Sequence, residues 1–97
     1  MNIQAMMHQA KKLQAELEKT TKEIENTTYN YENENILVEC LGSNKITKIE
    51  IKDEDILSDS EMLGDILLVA VNKVLEEVKK DKDKKLGKYT NGLGGLF

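Results

Sequence analysis

Residues 58–88 read SDSEMLGDILLVAVNKVLEEVKKDKDKKLGK, and this stretch decides the architecture. It predicts one long helix of two unlike halves. Between Met62 and Val78, apolar residues at 62, 63, 66–71, 74, 75 and 78 cover most of the helix circumference. A helix apolar nearly all round is buried on more than one side. Between Lys79 and Lys88, six lysines face only two acids, Asp81 and Asp83, so this half stays in water. Ser58 and Glu61 have capping-box spacing, and Asp59 favours the same terminus through the helix dipole. Gly87 reads as a C-cap, which ends the helix at Leu86 after roughly 40 Å. One end of such a helix is anchored and the other is a charged arm, a layout suited to gripping rather than to enclosing a catalytic pocket.

Upstream, residues 2–26 carry a narrow apolar seam. Ile3, Ala10, Leu17 and Ile24 recur every seventh residue, with Met6, Leu13 and Thr20 at the complementary position. A seam this narrow packs on another helix and cannot floor a core. The period then falls to two. Thr27–Glu32, Asn35–Leu41 and Lys45–Lys52 read as three strands, with Ile36, Val38 and Cys40 on one face of the second and Thr47, Ile49 and Ile51 on one face of the third. Asn33-Glu34-Asn35 and Gly42-Ser43-Asn44 supply the turns. Connections this short require antiparallel pairing. The expected fold is α+β, in the order α-β-β-β-α: helix 1–26, strands within 27–52, helix 58–86, and a loose tail over 87–97 where Leu93, Leu96 and Phe97 could dock. The chain reads as one domain, 1–97.

The helix at 62–78 has more apolar surface than a three-stranded sheet can cover. A second copy of the chain is the simplest cover, by two-fold symmetry. Met62, Leu63, Ile66, Leu67, Ala70, Val71 and Val74 are the expected dimer interface.

At 97 residues with 39% apolar and 33% charged content, the chain makes one small, strongly solvated domain. Its net charge of −4 argues against nucleic acid, but unevenly: residues 79–88 carry +4, so the remainder carries −8. All 14 cations are lysines. Lysine meets phosphate as a point charge and lacks the fork that reads guanine edges, so any DNA binding is expected to be weakly selective. A single cysteine excludes an internal disulfide. The chain has neither an apolar signal core nor an apolar run of membrane-spanning length, and a cytosolic location is expected.

Nothing in the sequence composes a catalytic or metal centre. His8 has no cysteine or histidine partner nearby and reads as a surface or seam residue. Cys40 aligns with Ile36 and Val38 and reads as a small buried apolar side chain. The acids at 53–55 and 59–61 lack the order of a calcium loop and are explained by solvation and capping. Gly92, Gly94 and Gly95 do not join a strand to a helix and form no phosphate loop. No cofactor, small-molecule substrate or membrane is expected, and the chain reads as a non-enzyme.

Several of these segments together resemble the YbaB/EbfC family of bacterial nucleoid-associated DNA-binding proteins. Glu61-Met62-Leu63-Gly64-Asp65-Ile66-Leu67, followed by Ala70, Asn72 and Val74-Leu75, is similar to the family's acid-Met-Leu-x-Asp-Leu-Val-x-x-Ala-x-Asn pattern. Leu41-Gly42, Ile49-Glu50-Ile51, Leu86 to Gly92 and the closing Gly95-Leu96-Phe97 are similar to further family segments in the same order. The chain departs from the family in having Asn33-Glu34-Asn35 where glycines are common, and in having no proline near its end. The resemblance implies a tweezers-like homodimer that binds duplex DNA, organises the nucleoid and affects gene expression.

Under that reading, the DNA-binding candidates are Lys79, Lys80, Lys82, Lys84, Lys85 and Lys88 on the last helix. Lys11, Lys12, Lys19 and Lys22 are the candidates on the first. The plainer account is that these lysines solvate helix faces and pair with neighbouring acids. A different class of function also fits the two long helices: a dimeric, coiled-coil-like adaptor that binds another protein.

Overall fold

The computed structural model describes residues 2–92, with side chains through residue 89. Asn2 opens the first helix, its side-chain oxygen accepting a hydrogen bond from the Ala5 amide at 3.2 Å. This helix, α1, spans Ile3–Glu25. Its last carbonyls are taken up by side chains. Asn26 Nδ2 donates to Lys22 O at 3.0 Å, and Thr27 Oγ1 donates to Glu23 O at 2.6 Å.

Three strands follow: β1 (Thr28–Glu32), β2 (Ile36–Leu41) and β3 (Ile46–Ile51). They form an antiparallel sheet in the order β1-β2-β3, as the short turns predict. At the first turn Asn33 Oδ1 accepts from the amides of Asn35 and Ile36, at 2.8 and 3.0 Å. That Asx turn does locally what a glycine would do through backbone freedom. At the second turn Asn44 takes φ 67°, a region asparagine tolerates. Gly42 answers a different need. A Cβ there would lie 1.8 Å from Ile24 O, so the turn seats directly on the end of α1.

One expectation about β3 changes. Glu39 pairs with Lys48 and Cys40 with Ile46, so Thr47 is the extra residue of a bulge. The bulge brings Ile46, rather than Thr47, onto the core along with Ile51.

After a short 3-10 helix, Glu54–Ser58, the long helix α2 spans Ser60–Gly92. The Ser58 capping box is not formed. Ser58 Oγ donates back to Asp55 O, and Asp59 is the cap, its Oδ1 accepting from Met62 N at 3.0 Å. The 3-10 turn uses up Ser58 and moves the start of α2 two residues on. Gly87 is likewise no C-cap: it lies within α2, with nothing near its Cα to demand a glycine. The 93–97 part of the expected tail lies outside the described residues.

The core is one face of the sheet against α2. Ile36, Val38 and Cys40 meet Ala70, Val74 and Val78, all at most 1% exposed, with Tyr29, Tyr31, Leu67 and Val71 around them. Each of the buried isoleucine and valine side chains contributes about 1.5–3 kcal/mol by leaving water. Ala70 and Val74 were expected at a dimer seam, and this packing corrects that: they are fully covered by their own sheet.

Beyond Val78, α2 leaves the sheet and runs antiparallel to α1. Tyr89, near its far end, hydrogen-bonds Thr20 at 3.3 Å, while Lys82 and Leu86 share a cleft with Thr21 and Ile24. The result is elongated, 69 × 22 × 16 Å. Its radius of gyration is 19.3 Å, against about 13 Å for a compact domain of this length. The α1 seam is closed only at its C-terminal end. Ile24 is buried, but Ile3, Met6 and Met7 are 70%, 53% and 55% exposed.

Candidate nucleic-acid interface

The paired C-terminal halves of α1 and α2 form an arm, and the packing of that arm sorts the lysines. On α2, Lys82 is half-buried, turned toward α1 and close enough to act electrostatically on Cys40. Burial pushes the Cys40 thiol up, and the Lys82 ammonium partly offsets it. A buried thiol held in this state is inert. Lys85 is also engaged, its Nζ 2.9 Å from Asp81 Oδ2. The same carboxylate oxygen accepts a hydrogen bond from the Tyr29 hydroxyl on β1. The Tyr29 phenol is pushed up to about 12, by burial first and then by its bond to Asp81. Asp81 is held below the usual carboxylate range, first by the Tyr29 hydrogen bond and then by Lys85.

Four α2 lysines remain in water. Lys79, Lys80 and Lys84 are exposed and make no ion pair among the described residues. Lys88 is exposed, with its ammonium 5.0 Å from the centre of the Tyr89 ring. Lys80, Lys84 and Lys88 follow one another at four-residue intervals on the side of α2 turned away from α1. Successive members are about 6 Å apart along the axis. Lys80 and Lys84 also border a shallow cleft with Glu77 and Asp81 and with Thr27, Thr28 and Tyr29 of the sheet edge. Lys79 lies on another side, in a cleft with Asn44, Lys82 and Asp83. On α1, Lys11, Lys12, Lys19 and Lys22 are all exposed. The structure therefore separates ten candidates that the sequence could only group.

The Tyr29–Asp81 contact could not be read from the sequence, because its partners lie 52 positions apart. Thr20–Tyr89 is likewise a long-range pair. The sequence offers Asp81 as a neighbouring acid for the helix lysines, and its pair with Lys85 keeps the i,i+4 spacing. Among the described residues no group of His, Cys, Asp or Glu is arranged to hold a metal, and no helix is long and apolar enough to cross a membrane.

The chain is thus an α-β-β-β-α fold with a protruding, lysine-bearing helical arm. It belongs to the YbaB/EbfC DNA-binding family, whose sequence profile matches residues 1–93. A nucleoid-associated protein of Ligilactobacillus salivarius is 35% identical over 99 residues, covering 99% of this chain and 95% of the relative. One from Enterococcus faecalis is 35% identical, covering 98% and 94%. Nucleoid-associated protein LL0120 of Lactococcus lactis is 38% identical, covering 96% and 97%. The crystal structure of the uncharacterized protein HP0035 from Helicobacter pylori shares the fold. Its TM-score is 0.69 over 87% of this chain and 91% of that one, at 16% identity.

Proposed function

We propose that this protein is a nucleoid-associated protein that binds duplex DNA as a homodimer, with low sequence selectivity, in the nucleoid of a bacterial cytoplasm. Its effects on nucleoid organisation and gene expression follow from that binding. The observation that carries the reading is the ridge of Lys80, Lys84 and Lys88, solvated and without a direct ion pair among the described residues. Phosphates recur every ~3.4 Å along each strand, so a row of cations about 6 Å apart stays within reach of successive phosphates. Lysines on phosphate give affinity and register but no base readout.

Dimerisation is supported by apolar surface that the protomer leaves in water. Met62 and Val69 are 49% and 50% exposed and Ile66 is half-buried. Met62 and Val69 fall on the side of α2 away from the sheet, and Ile66 joins that side to the core it packs against. Leu68 at 62% and Leu57 at 55% extend the exposed apolar surface. With Ala70 and Val74 committed to the core, and Leu67 and Val71 packed around it, the seam we assign runs through Met62 and Val69 with Ile66 at its edge.

The exposed Ile3, Met6 and Met7 at the start of α1 favour the second reading, an adaptor whose arm binds a protein helix. Fluorescence anisotropy with a labelled duplex at low and moderate salt decides between them. Binding that weakens steeply with salt supports the DNA reading; no binding at either salt leaves the adaptor.

A further inference from the structure

The arm has two lysine faces, and they point in opposite directions. On α1, the residues that meet α2 are Thr20, Thr21 and Ile24. At 3.6 residues per turn, Lys11, Lys12, Lys19 and Lys22 fall within an arc of about 100° centred almost opposite that contact. Gln4 and His8 continue the same arc toward the helix start, and all six side chains are exposed. No acid lies on the arc. Glu16, Glu18, Glu23 and Glu25 sit just outside its two edges, and none of the four lysines is ion-paired among the described residues.

On α2, the residues that meet α1 are Lys82, Leu86 and Tyr89. Lys80, Lys84 and Lys88 lie on an arc of about 80°, again nearly opposite the contact. Glu77 and Asp81 border this face, lining the same cleft as Lys80 and Lys84. Asp81 is turned toward Tyr29 and holds Lys85, while Asp83 lines the cleft with Asn44 and Lys79. Packed helices lie about 8–10 Å apart, so the two lysine rows are separated by the full thickness of the pair. A straight duplex laid along one face cannot reach the other.

We propose that the arm bridges two duplexes, one on the Lys80–Lys84–Lys88 face of α2 and one on the Lys11–Lys12–Lys19–Lys22 face of α1. The inference rests on the DNA-binding reading above and assigns a second, separate surface for the same class of ligand. The sorting on α1 is what distinguishes it from ordinary surface charge: a helix with as many glutamates as lysines over residues 11–25 has the lysines on its outer face and the glutamates at its rims.

The test is a two-duplex recovery assay on the full chain. One duplex is tethered to beads, the second is labelled and free, and protein is added at concentrations that saturate a single duplex by anisotropy. Wild type should retain the labelled duplex on the beads. Two variants follow, Lys80→Gln/Lys84→Gln/Lys88→Gln and Lys11→Gln/Lys12→Gln/Lys19→Gln/Lys22→Gln, each checked for unchanged helix content by circular dichroism. Each should still bind a single duplex, more weakly, and each should recover at least about tenfold less of the second, in line with the steep dependence of affinity on phosphate contacts. Wild type that binds one duplex but retains none of the second overturns the bridging proposal alone. So does an α1 variant that recovers as much as wild type. Absence of any anisotropy change with wild type overturns the DNA reading itself.

Discussion

The Tyr29 hydroxyl donates a hydrogen bond to the Asp81 carboxylate, joining the edge strand β1 to α2 where the helix leaves the sheet. The contact sits at the root of the arm. It also withdraws Lys85, which shares the same carboxylate oxygen at 2.9 Å. A hydrogen bond to a charged group in a half-buried site is worth about 1–2 kcal/mol. Tyr29→Phe should therefore lower the stability measured by urea unfolding by about that amount, with no change in helix content. An unchanged midpoint would show that the arm is held by apolar packing alone.

The same pair sets a pH dependence with two limbs. Asp81 titrates lower in the folded chain than in the unfolded one, so its contribution is present at neutral pH. It is lost as pH falls below about 4 and through the folded value. Tyr29 is raised to about 12. Its contribution is complete below about pH 10 and disappears as pH climbs from there toward 12. Unfolding midpoints across pH should show both limbs. Tyr29→Phe should shrink the alkaline one, and an alkaline limb of equal size in the variant would remove Tyr29 as its source.

Two glycines should respond to alanine with opposite signs. Gly42 is backed against Ile24 O, where a methyl would collide. Gly42→Ala should destabilise by about 3 kcal/mol or more, since neither backbone can yield cheaply. Gly87 lies inside α2 with nothing within 4 Å of the Cβ position. Gly87→Ala should stabilise by about 0.5–1 kcal/mol through helix propensity. Thermal unfolding of both variants checks this, and a destabilising Gly87→Ala would point to a contact made by a partner at that site.

Met62 and Val69 are half-exposed on the back of α2, so charging them touches little within the protomer. Met62→Lys/Val69→Lys should halve the mass found by sedimentation while leaving the fold intact. Wild type sedimenting as a monomer at micromolar concentration would reject the dimer.

The element order was legible because each segment keeps a clean period: seven along α1, two along the strands, and near-continuous apolarity where α2 is covered. What failed was where local signals competed. Ser58 has the right chemistry for a cap, yet the 3-10 turn recruits it, and Asp59 takes over one residue later. Gly87 resembles a stop, but with Tyr89 docked on Thr20 the helix gains more by continuing than by ending. Ala70 and Val74 belong to the same apolar run as Met62 and Val69. Only the position of the sheet separates inner from outer, and composition cannot supply that. The lysines were found as a set but not sorted, since Lys82 turns toward α1, far away in sequence, and Lys85 is held by an Asp81 that Tyr29 also engages.

The central claim is that the free ridge, and not lysine content as such, meets the phosphates. Anisotropy of a labelled duplex across a salt series tests it with Lys80→Gln/Lys84→Gln/Lys88→Gln beside Lys82→Gln/Lys85→Gln. We expect the ridge variant to lose affinity and to flatten the slope of log K against log salt by about 0.9 per lysine removed, with the second variant staying near wild type. Equal losses in the two variants, or a ridge variant that binds as wild type does, would contradict the account.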